Sequence, residues 1–82
     1  ALSQDRRNEM IKYSHQIIED GKISIRSVRR DGIHQLHTYG KEEKISEDLI
    51  KDNESLIQLE TDKFTNILNE LQSEKESEVL EI

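Results

Sequence analysis

Ten consecutive residues, Lys22 to Asp31, hold four of the twelve Lys and Arg residues of a chain whose formal charge is −6. They read Lys-Ile-Ser-Ile-Arg-Ser-Val-Arg-Arg-Asp. Arginine suits phosphate or carboxylate because its planar fork donates two parallel hydrogen bonds, and Arg26, Arg29 and Arg30 fall close together here. No aromatic residue is interleaved among them, so stacking on bases is not implied. At about 100° of turn per residue, Ile25 and Val28 share one helical face, and Lys22, Arg26, Arg29 and Ile33 form a second line roughly 110° around from it. One face can pack while another offers guanidinium groups to something negative.

Other chemistries find less support. The serines have no base beside them in a recognisable motif, and the carboxylates are spread as on a solvated helix surface. A nucleophile, a base and a pocket would all be needed for catalysis, so the chain does not read as an enzyme. His34 and His37 stand three residues apart, but without a third ligand they read as surface polar residues rather than a metal site. There is no cysteine, hence no disulfide frame and no thiolate ligand, and no cofactor is implied. No apolar run approaches the roughly 18 residues of a membrane span, and the N-terminus lacks a signal-peptide pattern. The chain reads as soluble, with no membrane partner. It starts at Ala1 without a methionine, which fits a processed product or a piece of a longer protein.

Two long helices are needed to position these side chains. Eighty-two residues, 37% charged and 32% apolar, allow one small domain with a limited core. Ser3 suits an N-cap. Apolar or small residues then recur at Met10, Ser14, Ile18, Gly21, Ile25, Val28, Gly32, Leu36 and Tyr39, in steps of three or four, which is the helical period. The glycines on this stripe suggest close approach of another helix. Gly40 follows the last periodic residue and is expected at a left-handed C′ position. A first helix of about 3–39, a turn over 40–45 and a second helix of about 46–80 result. Ser46 caps the second, with Glu47 and Asp48 at the positive end of its dipole and Ile45 and Ile50 as a hydrophobic staple. The second stripe runs through Ile50, Asn53, Ile57, Thr61, Phe64, Leu68, Leu71, Lys75, Val79 and Ile82, and Leu49, Leu56, Leu59, Ile67 and Leu80 widen it. So broad an apolar sector wants two neighbours. Charge is also divided: residues 1–40 carry +2 and residues 41–82 carry −8.

Several motifs in order resemble ribosome recycling factor: Leu2-Ser3-Gln4-Asp5-Arg6-Arg7, Ile25-Arg26-Ser27-Val28-Arg29-Arg30-Asp31, Lys44-Ile45-Ser46-Glu47-Asp48, Leu59-Glu60-Thr61-Asp62, and Lys75-Glu76 with its apolar tail. The resemblance spans essentially all 82 residues. The sequence departs from the family after Asp31, where Gly32-Ile33-His34 stands in place of a typical Ala-Asn-Asp, and at Gly40, where an apolar residue is common. The resemblance implies an L-shaped, transfer-RNA-like protein whose domain I is a three-helix bundle with a small β-rich domain II inserted. This chain would be the two C-terminal helices of domain I. The implied function is to bind the large ribosomal subunit of the post-termination complex and, with elongation factor G and GTP hydrolysis, to split the ribosome. Carried over by motif, the positions contacting ribosomal RNA are Arg7, Arg26 and Arg29, with Lys22 and Arg30 adjacent. Bacterial cytoplasm or an organelle matrix or stroma is the implied setting.

The sequence therefore predicts an all-α, long antiparallel two-helix hairpin, part of a three-helix bundle. In the isolated chain, self-association into a homodimer would complete it, with Phe64, Leu68 and Leu71 at its centre. The alternative is an antiparallel coiled-coil module whose arginine stripe meets an acidic protein partner.

Overall fold

The computed structural model describes residues 3–81; Ala1, Leu2 and Ile82 lie outside them. Ser3 is extended, and its Oγ accepts the Arg6 amide at 3.2 Å. That cap satisfies one of the first-turn donors, a contribution of about 1 kcal/mol. Helix α1 follows over Gln4–Glu42. Ser46 repeats the device, with its Oγ accepting the Leu49 amide at 3.3 Å, and α2 runs over Glu47–Glu81. Among the described residues there is no strand.

The two helices form an antiparallel hairpin measuring 62 × 15 × 9 Å. The direction is read from the contacts: Gly21 lies opposite Leu68, Arg29 opposite Gln58, His37 opposite Glu54 and Gly40 opposite Ile50. Numbers rise along α1 as they fall along α2. His37 and Glu54 pair side chain to side chain near the closed end of the hairpin.

Gly40 corrects one expectation. It lies buried inside the last turns of α1, and no glycine among the described residues has a positive φ; the left-handed residue is Lys44, at φ 53°. The Glu43 amide donates to the Tyr39 carbonyl at 2.9 Å, and the Ile45 amide reaches back to the Gly40 carbonyl at 2.9 Å. The second bond is the six-to-one link of a Schellman ending. Gly40 instead permits close packing, because a Cβ there would overlap Ile50 Cδ1 and lie 3.1 Å from its Cγ1. A left-handed conformation costs a non-glycine residue about 1–2 kcal/mol. Part of that is recovered by glycine, less its larger unfolded-state entropy. Lys44→Gly is accordingly expected to raise stability by up to roughly 1 kcal/mol, and a lowered thermal midpoint would contradict this account of the turn.

The packed seam follows the expected stripe of α1 at Ile18 and Gly21 but leaves it at Val28 and Tyr39. Val28 is 71% exposed, and Tyr39 is exposed as well, whereas Arg29 and Ile33 are half-buried and Gly40 is buried. On α2, Phe64 and Leu71 are exposed, while Leu68 is half-buried and meets Gly21 across the hairpin. Leu68 thus belongs to the hairpin's own seam. Among the described residues, only Ile18 and Val79 are buried apolar side chains, at 8% and 7% exposure. Two helices side by side touch along one line, which cannot enclose a core. An apolar hollow of 630 Å³ is left open between Ile25 and Val28 of α1 and Leu56, Ile57 and Phe64 of α2. Gly32 borders it, and a Cβ there would find nothing within 4 Å. Close helix approach therefore accounts for Gly21 and Gly40, and not for Gly32.

Candidate nucleic-acid interface

The middle of α1 brings the arginines together. Arg26, Arg29 and Arg30 line one shallow hollow of 490 Å³ with Ile23 and Ser27. Its position follows from the helical turn: Arg26 and Arg30 are each two residues from Val28, which places them about 160° around the axis from it. Val28 borders the apolar hollow. Arg26 and Arg30 thus point away from the apolar hollow, whereas Arg29 lies between the two faces and lines both hollows.

Each arginine is held differently. Arg29 is half-buried, and its Nη1 donates across the hairpin to Gln58 Oε1 at 3.4 Å. Gln58 in turn donates from Nε2 to Asp62 Oδ1 at 2.8 Å. This chain of contacts gives the Arg29 head a direction that rotamer freedom would otherwise blur. Arg30 is exposed, with Nη2 3.4 Å from the Ser27 hydroxyl and Nε 3.9 Å from Asp31. Neither Arg26 nor Arg29 has a carboxylate at ion-pair distance among the described residues. An unneutralised guanidinium remains able to take an anion.

The other two predicted positions stand apart. Lys22 lies a further turn back; its side chain is only 20% exposed and its Nζ is 3.4 Å from Glu19 Oε1. Arg7 is near the open end, about 33 Å from Arg29 at 1.5 Å per residue. Twenty-two residues are close to six whole turns, so Arg7 and Arg29 share a face. Arg7 Nε is buried without a hydrogen-bond partner. The five positions therefore make a cluster of three and two outlying members along one helix. Sequence reasoning missed Ile23, 56% exposed inside the cluster, and the Gln58–Asp62 tether. The first had a signal, an apolar residue three and seven positions before two arginines. The second is a local i,i+4 pair, but its link to Arg29 required the register between helices.

Among the described residues, no group of three His, Cys, Asp or Glu side chains is placed to hold a metal ion. Among the described residues, no helix is long and apolar enough to cross a membrane.

Comparison with known proteins gives this surface a context. The family profile described as ribosome recycling factor matches residues 1–80. A ribosome-recycling factor of Mycoplasma capricolum is 46% identical over 81 residues, covering 99% of this chain and 43% of the relative. One from a Cyanothece strain is 41% identical over 78 residues, covering 95% of this chain and 43% of the relative. A chloroplastic ribosome-recycling factor of rice, Oryza sativa, is 38% identical over 81 residues, covering 99% and 30%. No solved structure matches. The chain thus spans less than half the length of these relatives, which come from bacteria and from a plant chloroplast. With the profile covering almost every residue, the chain belongs to the ribosome recycling factor family.

Proposed function

We propose that this hairpin binds the ribosome through RNA phosphates held by Arg26, Arg29 and Arg30, as the large-subunit-binding part of a ribosome recycling factor. The observation that carries the reading is the clustering of these arginines around one hollow on a net-acidic chain, with two of them unneutralised. Arg7 and Lys22 extend the same surface along α1. Ribosomal RNA of the large subunit is the target, and elongation factor G with GTP hydrolysis supplies the work of splitting. The chain acts by binding and positioning and is not itself an enzyme. Bacterial cytoplasm or an organelle stroma or matrix is the setting.

The hairpin corresponds to two helices of a three-helix domain I, and the apolar hollow beside Val28 and Phe64 is where a third helix is needed. In the isolated chain a second copy takes that place, because two-fold pairing of two hairpins closes both hollows at once. Sedimentation equilibrium on the isolated 82-residue chain is expected to show a dimer at high micromolar concentration. A folded monomer there would contradict the assembly.

The competing reading, an acidic protein partner for the arginines, is separated by competition. Labelled complete gene product bound to large subunits should be displaced by ribosomal RNA fragments more readily than by polyglutamate of equal charge. The reverse order would favour a protein partner.

A further inference from the structure

The arginine cluster has an apolar floor that phosphate binding alone does not explain. Ile23 is 56% exposed and lies in the same hollow as Arg26, Ser27 and Arg30. These four occupy positions i, i+3, i+4 and i+7, a single stripe on the helix surface. The stripe faces away from Val28, which borders the apolar hollow between the helices. Hence a third helix over that hollow leaves Ile23 exposed. Single exposed apolar side chains are common. This one differs in its neighbours, since Arg26 has no carboxylate at ion-pair distance and Arg30 leans on the Ser27 hydroxyl at 3.4 Å.

The occupant must alternate less polar units with negative charges along the stripe, which runs Ile23, Arg26, Ser27, Arg30. An RNA strand has that pattern, with a ribose between consecutive phosphates. Arg26 and Arg30 are four residues apart, about 6 Å along the axis, which is comparable to the spacing of neighbouring phosphates on one strand. Aliphatic Ile23 cannot stack as an aromatic ring does, so the contact it can make is with the sugar. The Ser27 hydroxyl sits at the same rim, within the stripe that would face a 2′-hydroxyl, the group that marks RNA. An acidic peptide offers no comparable apolar unit at fixed spacing between charges.

We infer that Ile23 seats one ribose of a ribosomal RNA strand next to a phosphate held by Arg26, with Arg30 holding the following phosphate and Ser27 between the two. The inference rests on the proposed RNA-binding function, and the experiment keeps the two apart. Binding of the complete gene product to large ribosomal subunits is measured over a range of salt concentrations for the parent, Ile23→Ala, Ile23→Met and Arg26→Ala. Far-ultraviolet dichroism checks that each remains helical, as expected for exposed positions.

Ile23→Ala should weaken binding about tenfold, the scale of losing the burial of a few methylene groups. Its salt slope should match the parent, because no phosphate contact is removed, and Ile23→Met should restore most of the loss. Arg26→Ala should weaken binding and flatten the slope by about 0.7–0.9. If Ile23→Ala binds like the parent while Arg26→Ala flattens the slope, the ribose contact is overturned and RNA binding stands. If Arg26→Ala leaves the slope unchanged, the RNA reading fails and the ribose contact fails with it.

Discussion

Arg29→Ala in the complete gene product is expected to lose about 1.5–3 kcal/mol of affinity for the large ribosomal subunit, the range for a charge-assisted hydrogen bond. Arg29 is the most constrained of the clustered arginines. Its stem lies at the seam between α1 and α2, half-buried, and its Nη1 is held by Gln58 at 3.4 Å. Gln58 is fixed in turn by Asp62 at 2.8 Å. A side chain already ordered loses less rotamer entropy when it meets a phosphate. Arg29→Lys should recover only part of the affinity, because the charge remains while the two-pronged geometry is lost. Folding stability should move little. The bond to Gln58 is long, and a partly exposed substitution away from the buried Ile18 and Val79 usually stays near half a kcal/mol. Equal binding by parent and Arg29→Ala at near-physiological salt would remove Arg29 from the interface.

Gly40→Val should destabilise the hairpin by about 2–3 kcal/mol, the upper part of the usual cost of overpacking. Gly40 is buried, and even the first carbon of a new side chain would overlap Ile50 Cδ1. Ile50 also lines the hollow at the closed end of the hairpin with Ile45 and His37, so moving it disturbs the staple and the turn together. Gly40→Ala should cost much less, since alanine gains about 1 kcal/mol of helix propensity against glycine and Ile50 can turn its far methyl aside. Combining Gly40→Val with Ile50→Ala should recover part of the loss, a coupling expected only for residues in contact. Thermal unfolding of the parent, Gly40→Val, Gly40→Ala, Ile50→Ala and the double variant tests this. Gly40→Val melting with the parent would show that Gly40 does not set the approach of the helices.

Much of the architecture is legible in the sequence because it is local. Ser3 and Ser46 announce helix starts through hydroxyls that need only their own first turn, and Ile45 and Ile50 mark the turn by spacing alone. The arginines are visible for the same reason. What failed depended on the partner helix. Steps of three and four both satisfy the helical period, so a broad apolar sector does not say which edge meets α2. The stripe drawn on α1 holds at Ile18, Gly21 and Leu36, but its steps to Val28 and Tyr39 fall on the open side, where the seam instead passes Arg29 and Gly40. Gly40 looked like a terminator because glycine commonly ends helices; here it answers to Ile50, ten residues later in the chain. Lys44 took the left-handed position despite its side chain, and no pattern of residue types pointed to it. The Arg29–Gln58 contact was hidden because it needs the register that the turn and the two glycine contacts fix.

The central claim, that the arginine cluster binds RNA phosphates, is tested most directly by the salt dependence of large-subunit binding. The complete gene product is compared with a variant carrying Arg26→Ala, Arg29→Ala and Arg30→Ala together. Each lost phosphate contact flattens the plot of log affinity against log salt by about 0.7–0.9. The triple variant is expected to show a slope shallower by roughly two to three, with helix content unchanged. A triple variant that binds more weakly but keeps the parent's slope would contradict phosphate recognition by this surface.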